Sequence, residues 1–211
     1  MKPTQILMKE HRLIEQVLFC AEAMSDRAHA DGSLNKANAE KVLDFITHFS
    51  DGYHHAKEEK HLFRLMEERG FSPTQGPVAV MLHEHAFGRN CVKQMKESLN
   101  GASSGEKAPL TIFVENANLF VEMLRSHIQK EDMKLYPMAN NVFSEDDQFE
   151  LLTAFDQVET REMAPGTYDK YVALADELAQ FYGVEKADLT AVEDCDDGEC
   201  ESGGCGGCGG N

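Results

Sequence analysis

His54-His55-Ala56-Lys57-Glu58-Glu59 and His127-Ile128-Gln129-Lys130-Glu131-Asp132 are the two stretches whose reading decides the fold. Each contains His-x-x-x-Glu, and the copies stand 73 positions apart. On an α-helix, residues i and i+4 share a face about one turn apart. Each copy therefore directs one imidazole and one carboxylate to the same point. Together they offer two nitrogens and two oxygens. A pair of divalent iron or manganese ions takes that mixture, imidazole for affinity and carboxylate to bridge and balance charge. A single His-x-x-x-Glu is more often a solvated surface pair worth a few tenths of a kcal/mol. Here the match extends to Lys57/Lys130, Leu62/Leu135 and Phe63/Tyr136. A duplication in register is not a chance pair.

Working outward, four segments carry the 3.6-residue apolar period. The first runs from about Thr4 to Ala28, with Leu7, Leu13, Ile14, Val17 and Leu18 on its buried stripe, and Asp31-Gly32-Ser33 breaks it. The second runs from near Asn35 to Arg69, where Gly70 suits a left-handed cap. The third opens around Ser72-Pro73-Thr74 and continues to Leu99; Asn100-Gly101-Ala102-Ser103-Ser104-Gly105 reads as a loop. The fourth spans roughly Pro109 to Asn140. Connections this short force antiparallel neighbours, so the expected fold is all-α, an up-down-up-down four-helix bundle. Ser144 caps a fifth helix ending near Met163, and Pro165-Gly166 separates a sixth, Thr167 to Tyr182. These two are expected to pack along the outside.

The 211 residues suit one domain with an accessory segment. No apolar run approaches the length of a membrane span, and the first residues lack the apolar core of a signal peptide, so a cytoplasmic protein is expected. A net charge of −17 argues against nucleic acid and anionic membrane as partners. From residue 184 to 211 the chain turns to Asp, Glu, Gly and Cys. It is read as a disordered acidic tail following a helical domain over 1–183.

A dinuclear site in a bundle normally draws on all four helices. The first offers His11, on the stripe of Leu7, Ile14 and Leu18; the third offers His83-Glu84-His85. Positions two apart point to nearly opposite sides of a helix. Met81, His85, Val92 and Met95 share a stripe, which favours His85 and leaves His83 to solvent. The expected metal set is His11, His54, Glu58, His85, His127 and Glu131. Lys57, Glu59, Lys130 and Asp132 read as helix-surface pairs, and Tyr53 and Tyr136 as core aromatics.

The order His, His-x-x-x-Glu, Glu-His, His-x-x-x-Glu resembles the hemerythrin family in its bacterial HHE cation-binding branch. The stretches beginning at His54, Glu84 and His127, with Leu135-Tyr136-Pro137-Met138-Ala139, carry the likeness, which covers about residues 5 to 182. The resemblance implies a four-helix bundle holding a non-heme diiron centre, two iron ions bridged by the two carboxylates. Oxygen-carrying members place two His four apart on the third helix, and here the positions four from His85 are Met81 and Arg89. One iron is thus short of a ligand. His61, which returns to the face of His54, and His55, about 100° from His54, are the candidates for a further ligand or a partner of one.

Cys195, Cys200, Cys205 and Cys208 put four thiols within the acidic tail. Thiolate sulfur suits a soft cation such as zinc or copper(I), and the Cys205/Cys208 pair also suits redox exchange. The leading functional expectation is a non-enzymatic binding protein that takes dioxygen or nitric oxide for storage, delivery or sensing. A diiron oxidoreductase acting on peroxide or nitric oxide is the second. The third is iron handling, with tail thiols moving metal to damaged iron–sulfur centres.

Overall fold

The computed structural model describes residues 1–162 and 164–189. The tail cysteines lie outside the described residues. Among the described residues the chain is all helix: α1 Pro3–Asp31, α2 36–68, α3 Pro77–Ser103, α4 107–142, α5 145–162 and α6 Thr167–Tyr182. The first four make the expected bundle, and α5 and α6 pack against α1 and α2.

The ends follow local chemistry. Gly32 closes α1 at φ 67°, a backbone state glycine adopts without steric cost. Asn35 caps α2 by accepting from the Asn38 amide, and Ser144 with Asp147 forms a reciprocal capping box on α5. The third helix departs from expectation at both ends. It begins at Pro77, behind Gly76 at φ 79°, and it runs through Asn100 to Ser103 rather than stopping at Leu99. Gly101 does not break the helix. A Cβ there would lie 2.6 Å from the Pro109 ring, so this glycine serves the close approach of α4. The turn is made instead at Gly105, φ 80°.

Helices α2 and α4 are not regular. Phe45–His55, Glu58–Leu62 and Glu131–Leu135 are π-helical. Such widened turns are rare and concentrate at functional sites. These three fall on or beside the two quoted stretches; a fourth, Val158–Glu162, ends α5. The three also lie between two apolar cores. One gathers Leu13, Val17, Phe45, Phe49, Met95, Phe113 and Leu124; the other gathers Leu7, Leu62, Phe63, Met81, Leu135 and Phe155. The buried polar residues form the layer between them. Past Gly183 the chain stays on the bundle, with Val184 and Leu189 partly buried against the first core and the Ala187 amide donating to Gln16 Oε1 (2.7 Å). Among the described residues no helix is long and apolar enough to cross a membrane.

Candidate metal centre

Seven buried side chains from four helices meet in the polar layer: His11 from α1, His54, His55 and Glu58 from α2, His85 from α3, and His127 and Glu131 from α4. They form two donor groups. His11, His54, Glu58 and Glu131 make one; His55, Glu58, His85 and His127 make the other, and the donor atoms of each lie within 4.8 Å of one another. Glu58 belongs to both. Its Oε2 stands 3.7 Å from His54 Nε2 and 3.5 Å from His85 Nε2. Glu131 Oε2 likewise stands 3.3 Å from His11 Nε2 and 3.2 Å from His127 Nε2.

The fit to a metal pair rests on atoms left without partners. Among the described residues, His55 Nε2, Glu58 Oε2 and both Glu131 oxygens are buried with no hydrogen bond. An unsatisfied buried polar group costs about 1–3 kcal/mol, and here four such atoms converge. Cations bound between them would relieve that cost, and imidazole with carboxylate is a donor mixture that suits iron.

The other nitrogen of every imidazole is tied outward. Nδ1 of His11 faces Asp132 (2.7 Å), that of His54 faces Glu10 (2.9 Å), and that of His85 faces Glu59 (2.7 Å). Nδ1 of His127 faces Glu84 (2.9 Å), and that of His55 faces Asp51 at a longer 3.4 Å. A carboxylate only accepts, so each ring donates from Nδ1 and turns its Nε2 inward. A cation backs every carboxylate: Arg12 on Asp132, Lys57 on Glu10 (2.6 Å), Arg89 on Glu59 and Asp51, and Lys130 on Glu84.

This sheath corrects the sequence reading. Lys57, Glu59, Lys130 and Asp132 are not solvated surface pairs. Lys57 is fully buried, its ammonium 3.8 Å above the Tyr53 ring and also bonded to Glu159 (3.0 Å). Glu10, Glu84 and Asp51 were missed. The available signal was a Glu directly before His11 and before His85, and an Asp one turn before His55. Tyr136 is more than core packing, since its hydroxyl donates to Glu58 Oε1 (2.6 Å).

The remaining candidates separate cleanly. His61 lies in neither donor group and turns instead towards Phe155, with ring centroids 6.4 Å apart. His83 is exposed, as expected. His55 does reach the layer. The wider π turn over Phe45–His55 narrows the angle between successive side chains, so His54 and His55 both face inward. The His55 ring stacks on that of His85 at 3.8 Å.

The charges are uneven. Burial, with His85 nearby, pushes His55 down to about 3, and burial also lowers His54 and His85. These rings are neutral, the form that binds metal. Burial acts in the same direction on His11, but the hydrogen bond to Asp132 and the charges of Asp132 and Glu131 outweigh it and hold that ring at about 9. His127 is raised too, Glu131 and Glu84 overcoming burial. Burial and the charge of Glu131 raise Glu58 well above the carboxylate range; against burial, His127 and His11 hold Glu131 well below it. A cavity of about 380 Å³ opens between α2, α3 and α4, lined by Ser50, His55, His85, Gly88, Phe120 and Met123.

A helical bundle with a buried layer of imidazoles and carboxylates defines a class of cation-binding proteins. Residues 2–139 match the hemerythrin HHE cation binding domain, and the chain belongs to that family. An uncharacterised protein of Mycobacterium tuberculosis, Rv1995, is 19% identical over 84% of this chain and 69% of its own length. An iron-sulfur cluster repair protein, YtfE, of Cronobacter sakazakii is 29% identical over 64% of this chain and 62% of its own. No solved structure matches the chain.

Proposed function

We propose that the chain is a non-heme diiron protein that binds a small diatomic ligand, dioxygen or nitric oxide. One observation carries this: two buried donor groups share Glu58, and each contains buried polar atoms without a hydrogen bond. Iron bound there supplies a redox-active pair with affinity for such ligands. The protein's part is preorganisation. Five outward carboxylates fix five ring orientations, so the Nε2 atoms already face the site, and His11 and His127 give up a proton on loading. The apolar cores bound the layer above and below, and the cavity beside His55 and His85 gives a small ligand access to it. His11, His54 and Glu131 would hold one iron, His55, His85 and His127 the other, and Glu58, common to both groups, would serve the two. His55 thereby supplies the imidazole that Met81 and Arg89 do not.

A second reading is favoured by the likeness to a protein named for iron-sulfur cluster repair. In it the bundle stores iron, and Cys195, Cys200, Cys205 and Cys208 hold a soft metal or pass iron onward. Metal analysis and absorption spectra of anaerobically purified protein, before and after air, test the first reading. Two irons per chain and near-ultraviolet bands of a diferric centre are expected; one zinc and no iron overturns it. Iron transfer to an apo iron–sulfur acceptor, dependent on the four thiols, distinguishes the second.

A further inference from the structure

Two aromatic rings flank the polar layer at matching places in the two sequence copies, Phe63 beside His85 and Tyr136 beside His11. Their centroids lie 5.9 Å and 5.6 Å from the imidazoles, both nearly parallel. They differ by one hydroxyl. That hydroxyl is buried, donates to Glu58 Oε1 at 2.6 Å and lies 3.3 Å from His11 Nε2. Phe63 has no donor to give Glu131, whose oxygens accept no hydrogen bond, Oε2 lying 3.3 Å from His11 Nε2 and 3.2 Å from His127 Nε2. The two carboxylates are therefore held differently. Glu131 can use either oxygen or both, whereas Glu58 has Oε1 engaged and only Oε2 facing the two donor groups.

The difference falls on the side that needs it. The group with His55, His85 and His127 has three imidazoles; the group with His11 and His54 has two. If Glu58 closed onto the latter through Oε1 as well, it would fill the position an outside ligand requires. We propose that Tyr136 is a positioning residue that holds Glu58 Oε1 back and so keeps a coordination position on the His11/His54 side available to a small exogenous anion or diatomic. The proposal rests on the diiron reading above and adds a control element to it.

The experiment uses the full chain loaded with iron, as Tyr136→Phe and unmodified, titrated with azide as the probe. Tyr136→Phe is expected to keep the iron content of the unmodified chain. It should weaken azide about tenfold, the fold-change of one hydrogen bond to a charged acceptor, and move the azide charge-transfer band. Melting of the metal-free proteins separates this from a general packing effect, which would lower stability without moving the band. If the variant does not fold, 3-fluorotyrosine at position 136, equal in shape and a stronger donor, is expected to move the band the opposite way from an absent donor. An unchanged azide affinity and band overturn the proposal. Loss of one iron in Tyr136→Phe also overturns it, since Tyr136 would then be a ligand. Failure of the unmodified chain to hold two irons overturns the diiron reading itself, and is seen before any variant is made.

Discussion

Lys57 and Lys130 occupy matching places in the two sequence copies, and the molecule treats them differently. Lys57 is fully buried between Glu10 and Glu159, while a third of the Lys130 side chain is exposed beside Glu84. The cause is external to the copies. Helices α5 and α6 pack on the α1/α2 side, so Glu159 of α5 seals Lys57 in. No such cover lies over the α3/α4 side among the described residues, and a cavity runs down to His55 and His85 there. Two further substitutions deepen the contrast: His55 stands where the second copy has Ile128, and Tyr136 where the first has Phe63. The duplication supplies like donors to both halves. The packing and these two exchanges leave one half with two imidazoles on the side covered by α5 and α6, and the other with three beside an open cavity.

The largest effect is expected where the halves meet. Glu58→Leu removes the residue common to both donor groups, and metal analysis should find neither iron retained. A variant that still holds one iron would mean that the halves bind separately, with Glu58 serving only one of them.

Next in size are changes confined to one half. His54→Ala and His127→Ala should each cost metal on their own sides. His55→Ala should weaken the iron on its own side, because that half loses one of its three imidazoles and its donor group falls from four to three. Ile128→Ala, at the matching place, should leave both. If His55→Ala keeps two irons at unmodified affinity, the halves are equal in ligand number and the contrast reduces to packing.

The sheath should show the contrast in stability rather than metal. In metal-free protein, Lys57→Met leaves Glu10 buried without its cation, a loss of about 3–5 kcal/mol. Lys130→Met leaves Glu84 partly hydrated, and about 1 kcal/mol or less is expected. Denaturant unfolding of the two variants measures the difference. Equal losses would show that α5 does not isolate the Lys57 side from water.

What the sequence disclosed follows the same division. The four-helix order and six of the side chains that meet in the buried polar layer were legible because periodicity and i, i+4 spacing are local properties of a helix. His55 was left as an alternative because an α-helical wheel rotates it away from His54. Only the π turn brings it back, and such a turn has no compositional mark. The roles of Lys57, Glu59, Lys130 and Asp132 were misread for a different reason. Each bonds across helices, Lys57 to Glu10 and Asp132 to His11, and nothing in a single helix's sequence distinguishes such a partner from a surface neighbour. The helix running past Leu99 was hidden because Gly101 answers to Pro109 on the next helix, not to a turn of its own.

Near-silent changes sharpen the boundary of the site. His83→Ala and His61→Ala should keep full iron content, since His83 is exposed and His61 turns towards Phe155 outside both donor groups. Loss of iron in either by metal analysis would redraw the inward face of α3 or of α2.

The smallest effect on the bundle is expected from the segment that belongs to neither half. All seven donors and their five carboxylates precede residue 133, and among the described residues the last contacts to the first core come from Val184 and Leu189. The cut therefore belongs after Leu189, keeping the Ala187 amide on Gln16 Oε1 and the Lys186–Asp176 ion pair. The truncated chain should retain two irons, the same absorption spectrum and an unchanged unfolding midpoint. It should lose only a separate pool of titratable thiols, or of soft metal bound to them, because thiolate donors outside the bundle compete for a different class of cation. If iron is lost on truncation when the protein is made in cells, but is restored by adding ferrous iron to the purified chain, the tail loads a site it does not build. That outcome would favour the iron-handling reading over ligand storage. If added iron does not restore the centre, the tail contributes to the site directly, and the description of two halves enclosed by six helices is incomplete.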